Sequence, residues 1–109
     1  MNSSAVENPN AFAKRVAVTD DTVAVDLADG RTIAVPLAWY PRLANATQKE
    51  RDSWRLIAGG LGIHWPEIDE DISVGNLLAG QRSGESQNSL SKWLATRTKK
   101  SRSRRQTAR

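Results

Sequence analysis

The sequence predicts an α+β fold in one domain, and three observations predict it. Apolar residues alternate with polar or small ones from Arg15 to Leu37, the period of strands. After Pro36 the spacing becomes helical and capping residues appear. The chain has 109 residues, 39% of them hydrophobic and 26% charged. That is enough for one modest core, and too short for two lobes with a cleft between them.

The first strands follow from parity, because directly paired residues share a face. A two-residue turn at Asp20-Asp21 sets Val18 opposite Val23 and Val16 opposite Val25, so all four valines point one way. The second hairpin has two candidate registers. A two-residue turn at Asp29-Gly30 would set Val25 opposite Ala34 and scatter the apolar set over both faces. A three-residue loop, Ala28-Asp29-Gly30 with a left-handed glycine and a bulge, sets Val25 opposite Ile33 and Val23 opposite Val35. The second register is preferred, giving a three-stranded antiparallel meander with one apolar face to be covered.

Trp39, Tyr40 and Leu43 are spaced for one face of a short helix, with Pro41 in its first turn. Thr47-Gln-Lys-Glu50 is a capping-box pattern, opening a second short helix through Trp54. Trp54 to Ala58 and Ile63 to Ile68 suggest a β-hairpin joined by Gly59-Gly-Leu-Gly62, with Pro66 at a strand end or edge. Ser73 to Leu78 suggests one or two helical turns, Ser73 being the N-cap and Gly80 lying just past the end. Leu90, Trp93, Leu94 and Arg97 give helical spacing to a C-terminal helix between about Gln87 and Thr98. The expected order is therefore meander, short helices, β-hairpin and C-terminal helix. The expected division is a flexible N-terminus over 1–13, one α+β domain over 14–97 and a disordered basic tail over 98–109.

Charge divides along the same lines. The formal net charge of +4 combines two unequal parts. Residues 1–80 carry seven Lys/Arg against eleven Asp/Glu, a balance of −4, and residues 81–109 carry nine against Glu85 alone, a balance of +8. A mildly acidic body thus bears a cationic arm. The absence of cysteine removes disulfides, thiolate metal sites and thiol nucleophiles from consideration. With no apolar signal core in residues 1–13 and no run long enough to span a bilayer, the expected location is cytoplasmic, without membrane contact.

Several strings resemble a known bacterial family, domain of unknown function 2442. They are Asp29-Gly-Arg31, Val35-Pro-Leu-Ala-Trp-Tyr-Pro-Arg-Leu43, Ala46-Thr47, Glu50-Arg51 and Trp54, then Gly62-Ile-His-Trp-Pro-Glu-Ile-Asp-Glu-Asp-Ile-Ser73, and finally Ser83-Gly-Glu-Ser86 with Leu90 and Trp93. The resemblance runs from Ala13 to about Arg97. It implies a fold of three strands, helix, two strands and helix, a bacterial or phage origin, and in some members fusion or adjacency to helix-turn-helix regulators or small toxin-like partners. It implies no catalytic residues, and it does not extend to the Lys/Arg arm after Arg97.

The chemistry-bearing residues are few. His64, the single histidine, neighbours Glu67, Asp69, Glu70 and Asp71, so a metal-dependent site can be imagined there. Against this, His64 would face opposite to Ile63 and Trp65, and acidic residues before Ser73 suit a helix N-terminus. Gly59-Gly-Leu-Gly62 lacks the lysine and the strand-to-helix setting of a phosphate loop. No catalytic, metal or cofactor-binding residue is therefore assigned, and no cofactor is expected. Trp39, Trp54 and Trp65 are expected in the core, whereas Leu90, Trp93 and Leu94 either dock on the body or meet a partner protein. Arg97, Lys99, Lys100, Arg102, Arg104, Arg105 and Arg109 are candidates for nucleic-acid contact through counterion release, with no interleaved aromatic to read sequence. The expected function is a non-enzymatic interaction module, antitoxin-like or regulatory, with a protein partner and non-specific DNA or RNA contact through the tail. The alternatives are a nucleic-acid-binding accessory protein and a small metal-dependent enzyme around His64.

Overall fold

Alternating valines build the first sheet in the computed structural model, which describes residues 11–107, with side chains through Arg97. Strands β1 (Ala13–Val18), β2 (Thr22–Leu27) and β3 (Thr32–Pro36) form an antiparallel sheet in that order. Val16 pairs with Val25 and Val18 with Val23, then Val23 with Val35 and Val25 with Ile33, which are the registers derived from parity. The β2–β3 loop closes with Leu27 N–H donating to the Arg31 carbonyl, and Gly30 takes φ +96°, a left-handed value open to glycine. Ala17, Ala24 and Ala34 fall in register on the opposite, outer face, where Asp26 accepts from Arg15 and Thr32.

Helix α1 (Pro41–Ala44) follows a 3₁₀ turn over Leu37–Trp39 and carries its proline in the first turn. Helix α2 (Gln48–Asp52) opens on the capping box, Thr47 Oγ1 accepting from Glu50 N–H while Glu50 Oε1 accepts from Thr47 N–H. It ends at Asp52, before Trp54, because Ser53 leaves helical geometry.

The second sheet corrects the expected hairpin. It has three antiparallel strands, β4 (Arg55–Ile57), β5 (Gly62–Trp65) and β6 (Glu70–Ser73). The strand expected to run to Ile68 stops at Trp65, since Pro66 cannot donate to a ladder. A turn follows, in which Asp69 takes φ +53°, and the chain returns as β6, pairing Trp65 with Glu70 and Ile63 with Ile72. The Asp/Glu run is thus divided between this turn, with Glu67 and Asp69, and β6, with Glu70 and Asp71, and does not open a helix. Helix α3 (Val74–Leu78) begins directly after it, Ser73 Oγ accepting from Asn76 N–H.

The two sheets share one core. Val23, Val25, Leu43, Ile63 and Trp65 are fully enclosed, and Trp39, Trp54 and Trp93 pack half-buried against the same cluster. Gly60 marks the seam. A Cβ there would lie 2.9 Å from the Ala13 carbonyl oxygen, and its φ of +97° adds strain for any other residue.

The last element is α4 (Gln87–Thr107), started by Ser86, whose hydroxyl accepts from Ser89 N–H. Its backbone continues past the boundary expected after Arg97. That boundary rested on the loss of apolar spacing, whereas Arg, Lys, Gln and Ala are good helix formers in water and no Gly or Pro follows Gly84. Of the flexible N-terminus expected over 1–13, residues 1–10 lie outside the described residues, while Ala11 and Ala13 are buried.

Candidate functional site

The charged residues converge where α4 meets the body. Arg42, on α1, donates from Nε and Nη2 to the Glu85 carboxylate at 2.8 and 2.9 Å and from Nη1 to the Ile68 carbonyl at 3.0 Å. One side chain thereby ties α1 to the β5–β6 turn and to the segment entering α4. Glu85 also accepts from Ser89 Oγ at 2.6 Å, so the link reaches the first turn of the helix. Two turns along, Arg97 donates both terminal nitrogens to Glu50 at 2.8 and 2.9 Å. Glu50 is the carboxylate that completes the α2 capping box, and here it serves a second purpose.

Between the two ion pairs lies Trp93. The Arg42 guanidinium sits 5.2 Å from its ring centroid and that of Arg97 4.7 Å, within the range of cation–π attraction. The sequence Glu85, Arg42, Trp93, Arg97, Glu50 is therefore a continuous clasp holding the root of α4. Each guanidinium is satisfied by a carboxylate in its plane and by an aromatic ring, an arrangement a lysine could not reproduce. The electrostatics agree. Arg42 holds the Glu85 carboxyl below its ordinary range, and Arg97 does the same for Glu50.

A polar cleft of about 290 Å³ adjoins the clasp, lined among others by Tyr40, Arg42, Glu70, Asn76, Arg82 and Glu85. Arg82 stacks 4.9 Å from the Trp39 ring centroid, and the Tyr40 hydroxyl donates to the Gln81 carbonyl, so the 81–85 segment is fastened to the body beside the cleft that it lines. Glu70 stands apart in this cleft. Its Oε1 accepts from the Asp71 N–H, whereas its Oε2 is buried with no hydrogen-bond partner. Burial pushes the Glu70 carboxyl up to about 7, with Glu85 adding to the rise and Arg42 opposing it. The Tyr40 hydroxyl is raised too, by its own burial and by the nearby Glu70 charge.

His64 lies elsewhere. Pairing across β5 and β6 places it beside Asp71, with Nδ1 and Oδ1 in hydrogen-bond contact, on the face opposite Ile63 and Trp65 as strand alternation requires. Glu67 and Asp69 are exposed in the turn, and among the described residues no three His, Cys, Asp or Glu side chains converge on a point that could hold a metal. Gly59 and Gly60 lie in the turn between β4 and β5, and Gly62 begins β5.

Of the residues assigned to a partner, Trp93 is in the clasp, and Leu90 and Leu94 are half-buried on the same helix. Arg97 is committed to Glu50. The side chains of Lys99, Lys100, Arg102, Arg104 and Arg105, and the whole of Arg109, lie outside the described residues. Arg42, Glu50 and Glu85 were not singled out from sequence as a site, and Glu70 was considered only as a neighbour of His64. Glu85 and Arg42 are 43 positions apart, and no local pattern announces their pairing. Glu70 could have been found had β6 been recognised, because alternation from Ile72 puts a carboxylate on the core face.

Two three-stranded meanders, short capped helices and a clasped C-terminal helix define a small α+β protein. The family described as "Protein of unknown function (DUF2442)" matches residues 13–83, and the chain belongs to that family. The match ends at the 81–85 segment, just before α4. Among solved structures, the chain is similar to a protein of unknown function from Rhodospirillum rubrum ATCC 11170, with 28% identity, a TM-score of 0.59, and coverage of 68% of this chain and 92% of that one. It is also similar in fold to an uncharacterized protein from Chromobacterium violaceum, with 20% identity, a TM-score of 0.62, and coverage of 86% and 83%. No curated protein matches the chain. No helix among the described residues is long and apolar enough to cross a membrane.

Proposed function

We propose that this chain is a non-enzymatic interaction module, an antitoxin-like or regulatory adaptor, that binds a protein partner and makes non-specific contact with DNA or RNA through the basic end of α4. One arrangement supports this reading. The clasp fixes the root of α4 on an acidic body, and the helix then runs ten residues beyond Arg97 with five cations and no acid. A cationic segment on a fixed root suits a polyanion, because each phosphate it neutralises releases condensed counterions. The same charge favours a second reading, in which nucleic-acid binding is the whole function and the body is a scaffold.

Two measurements separate these readings. Binding of a random duplex should fall steeply with salt, with a slope of about −0.9 per phosphate neutralised, and deleting residues 98–109 should abolish it. Capture from the native host should return the same protein partner with or without residues 98–109. Loss of both the duplex and the partner on deletion would favour the second reading, and equal weak duplex binding by both forms would remove nucleic acid from the function.

A further inference from the structure

The Glu70 carboxylate occupies a position that an ordinary surface acid would not. It lies on the core face of β6, beside Ile72, with one oxygen buried and unpartnered, and it lines the cleft together with the 81–85 segment. A buried carboxylate oxygen without a donor is costly when charged and far less so when the group is protonated. The charged and titratable groups facing it come from each neighbouring element. They are Arg42 from α1, Glu85 from the segment entering α4, Asp71 from β6 itself and Tyr40 from the chain before α1, with Asp69 of the β5–β6 turn and Arg82 also lining the cleft. Of the two cations, Arg82 lies over the Trp39 ring, while Arg42 gives two nitrogens to Glu85 and the third to the β5–β6 turn.

We propose that Glu70 is a proton-controlled latch on α4: protonated, it leaves Arg42 wholly to Glu85 and the clasp closes, and ionised, it competes for Arg42, repels Glu85 and loosens the helix root. The lever is short. Glu85 carries Ser89 of the first turn, and Arg42 stacks on Trp93 of the second, so a shift of Arg42 toward Glu70 weakens both attachments. The direction follows from linkage. A carboxyl raised in the folded state, here to about 7, keeps its stabilising proton below the ordinary value of 4.5 and loses it as pH climbs through 7. Part of that rise comes from the Glu85 charge of the segment entering α4, which outweighs the opposing Arg42, so docking favours the Glu70 proton and the docked state weakens as Glu70 ionises. This inference concerns the helix and its clasp alone and stands whether or not α4 meets a nucleic acid.

The test is a pH titration of the full chain by NMR between pH 5 and 9. The Glu70 Cδ signal reports ionisation, the Trp93 indole N–H reports the clasp, and amide exchange along α4 reports its hold on the body. The expected result is a Glu70 midpoint near 7, an indole shift with the same midpoint, and α4 exchange that rises about tenfold beyond its intrinsic pH dependence, the factor that one pKa unit of coupling gives. Glu70→Gln, neutral and of the same shape, should hold the indole at its low-pH position throughout. His64→Gln should leave the switch intact, which separates Glu70 from the imidazole that pairs with its neighbour Asp71. A Glu70 midpoint in the ordinary carboxylate range, an indole that does not move while Glu70 ionises, or the same indole titration in Glu70→Gln would each overturn the proposal.

Discussion

The first sheet and the last helix are held to the molecule by opposite means. β2 is secured by enclosure. Val23, Val25 and Leu27 are almost wholly removed from water, and the ion pair on the outer face, Arg15 with Asp26, is largely solvated. α4 is secured by charge. Its inward residues Leu90, Trp93 and Leu94 are only half-buried, and the distinct attachments are two guanidinium–carboxylate pairs and the indole between them. Apolar burial is indifferent to pH and is strengthened, if anything, by salts excluded from the protein surface. Ion pairs respond to both. The body should therefore behave as a constant, and the attachment of α4 as a variable set by the solvent.

The largest break in that comparison is in the constant part. Val25 is fully buried and pairs with Val16 on one side and Ile33 on the other. Val25→Asp would enclose a carboxylate with no partner, and a domain of this size has a total stability of only about 5–10 kcal/mol to oppose that cost. The expected outcome is a chain without a cooperative melt at neutral pH, checked by circular dichroism on heating. A parent-like transition would show that the register or the enclosure is misassigned.

A smaller break separates the helix from the body without harming the body. Arg97→Ala removes the pair with Glu50 and one of the two guanidinium contacts of the Trp93 ring, and it leaves the α2 capping box intact. The attachment should weaken by about 1–2 kcal/mol, the range for a charge-assisted bond at a partly buried site. Exchange at α4 amides should accelerate while the amides of β2 keep their protection. The acid limb gives an independent check. Glu50 and Glu85 are both held below the usual carboxylate range by their arginines, so what they contribute is present above their unfolded value of 4.5 and is lost as pH falls through the lower folded values. In acid, α4 should loosen before the sheets melt, and in Arg97→Ala that limb should shrink to the share carried by Glu85.

The same division governs what could be read from the sequence. The register of the meander was legible from Val16 onward, because its valines and two loop lengths leave one solution that puts the large apolar side chains on one face, whereas the irregularity between Ala13 and Arg15 was not. The capping box and the Ser73 cap were legible because each is a contact three residues long. β6 was not. Glu70-Asp-Ile-Ser73 offers a single buried apolar residue, too little to establish a period, and its acids fit a helix start equally well. The clasp was invisible for a different reason. Glu85 and Arg42, and Glu50 and Arg97, are separated by more than forty positions, and their meeting depends on how two sheets and three short helices stack. Local chemistry was readable where the contacts are local, and the site is built from contacts that are not.

The finest distinction lies within β6, where neighbouring acids face opposite ways. Glu70 looks toward the core and Asp71 outward, across from His64. The His64 side chain is 25% exposed and that of Asp71 68%, so water screens their interaction and competes for both partners. Pairs of this kind contribute about 0–1 kcal/mol. His64→Gln keeps a side-chain amide able to bond Asp71, and it should move the melting temperature by no more than a few degrees. Glu70→Gln, on β6 one position before Asp71, should instead raise stability at pH 8 and leave it nearly unchanged at pH 5, because only above about 7 does the parent carry the buried charge that glutamine lacks. Thermal melts of both variants at the two pH values are sufficient. If His64→Gln gave the larger, pH-dependent change and Glu70→Gln gave none, the titrating group of this strand pair would be the imidazole, and the assignment of inward and outward faces to β6 would be reversed.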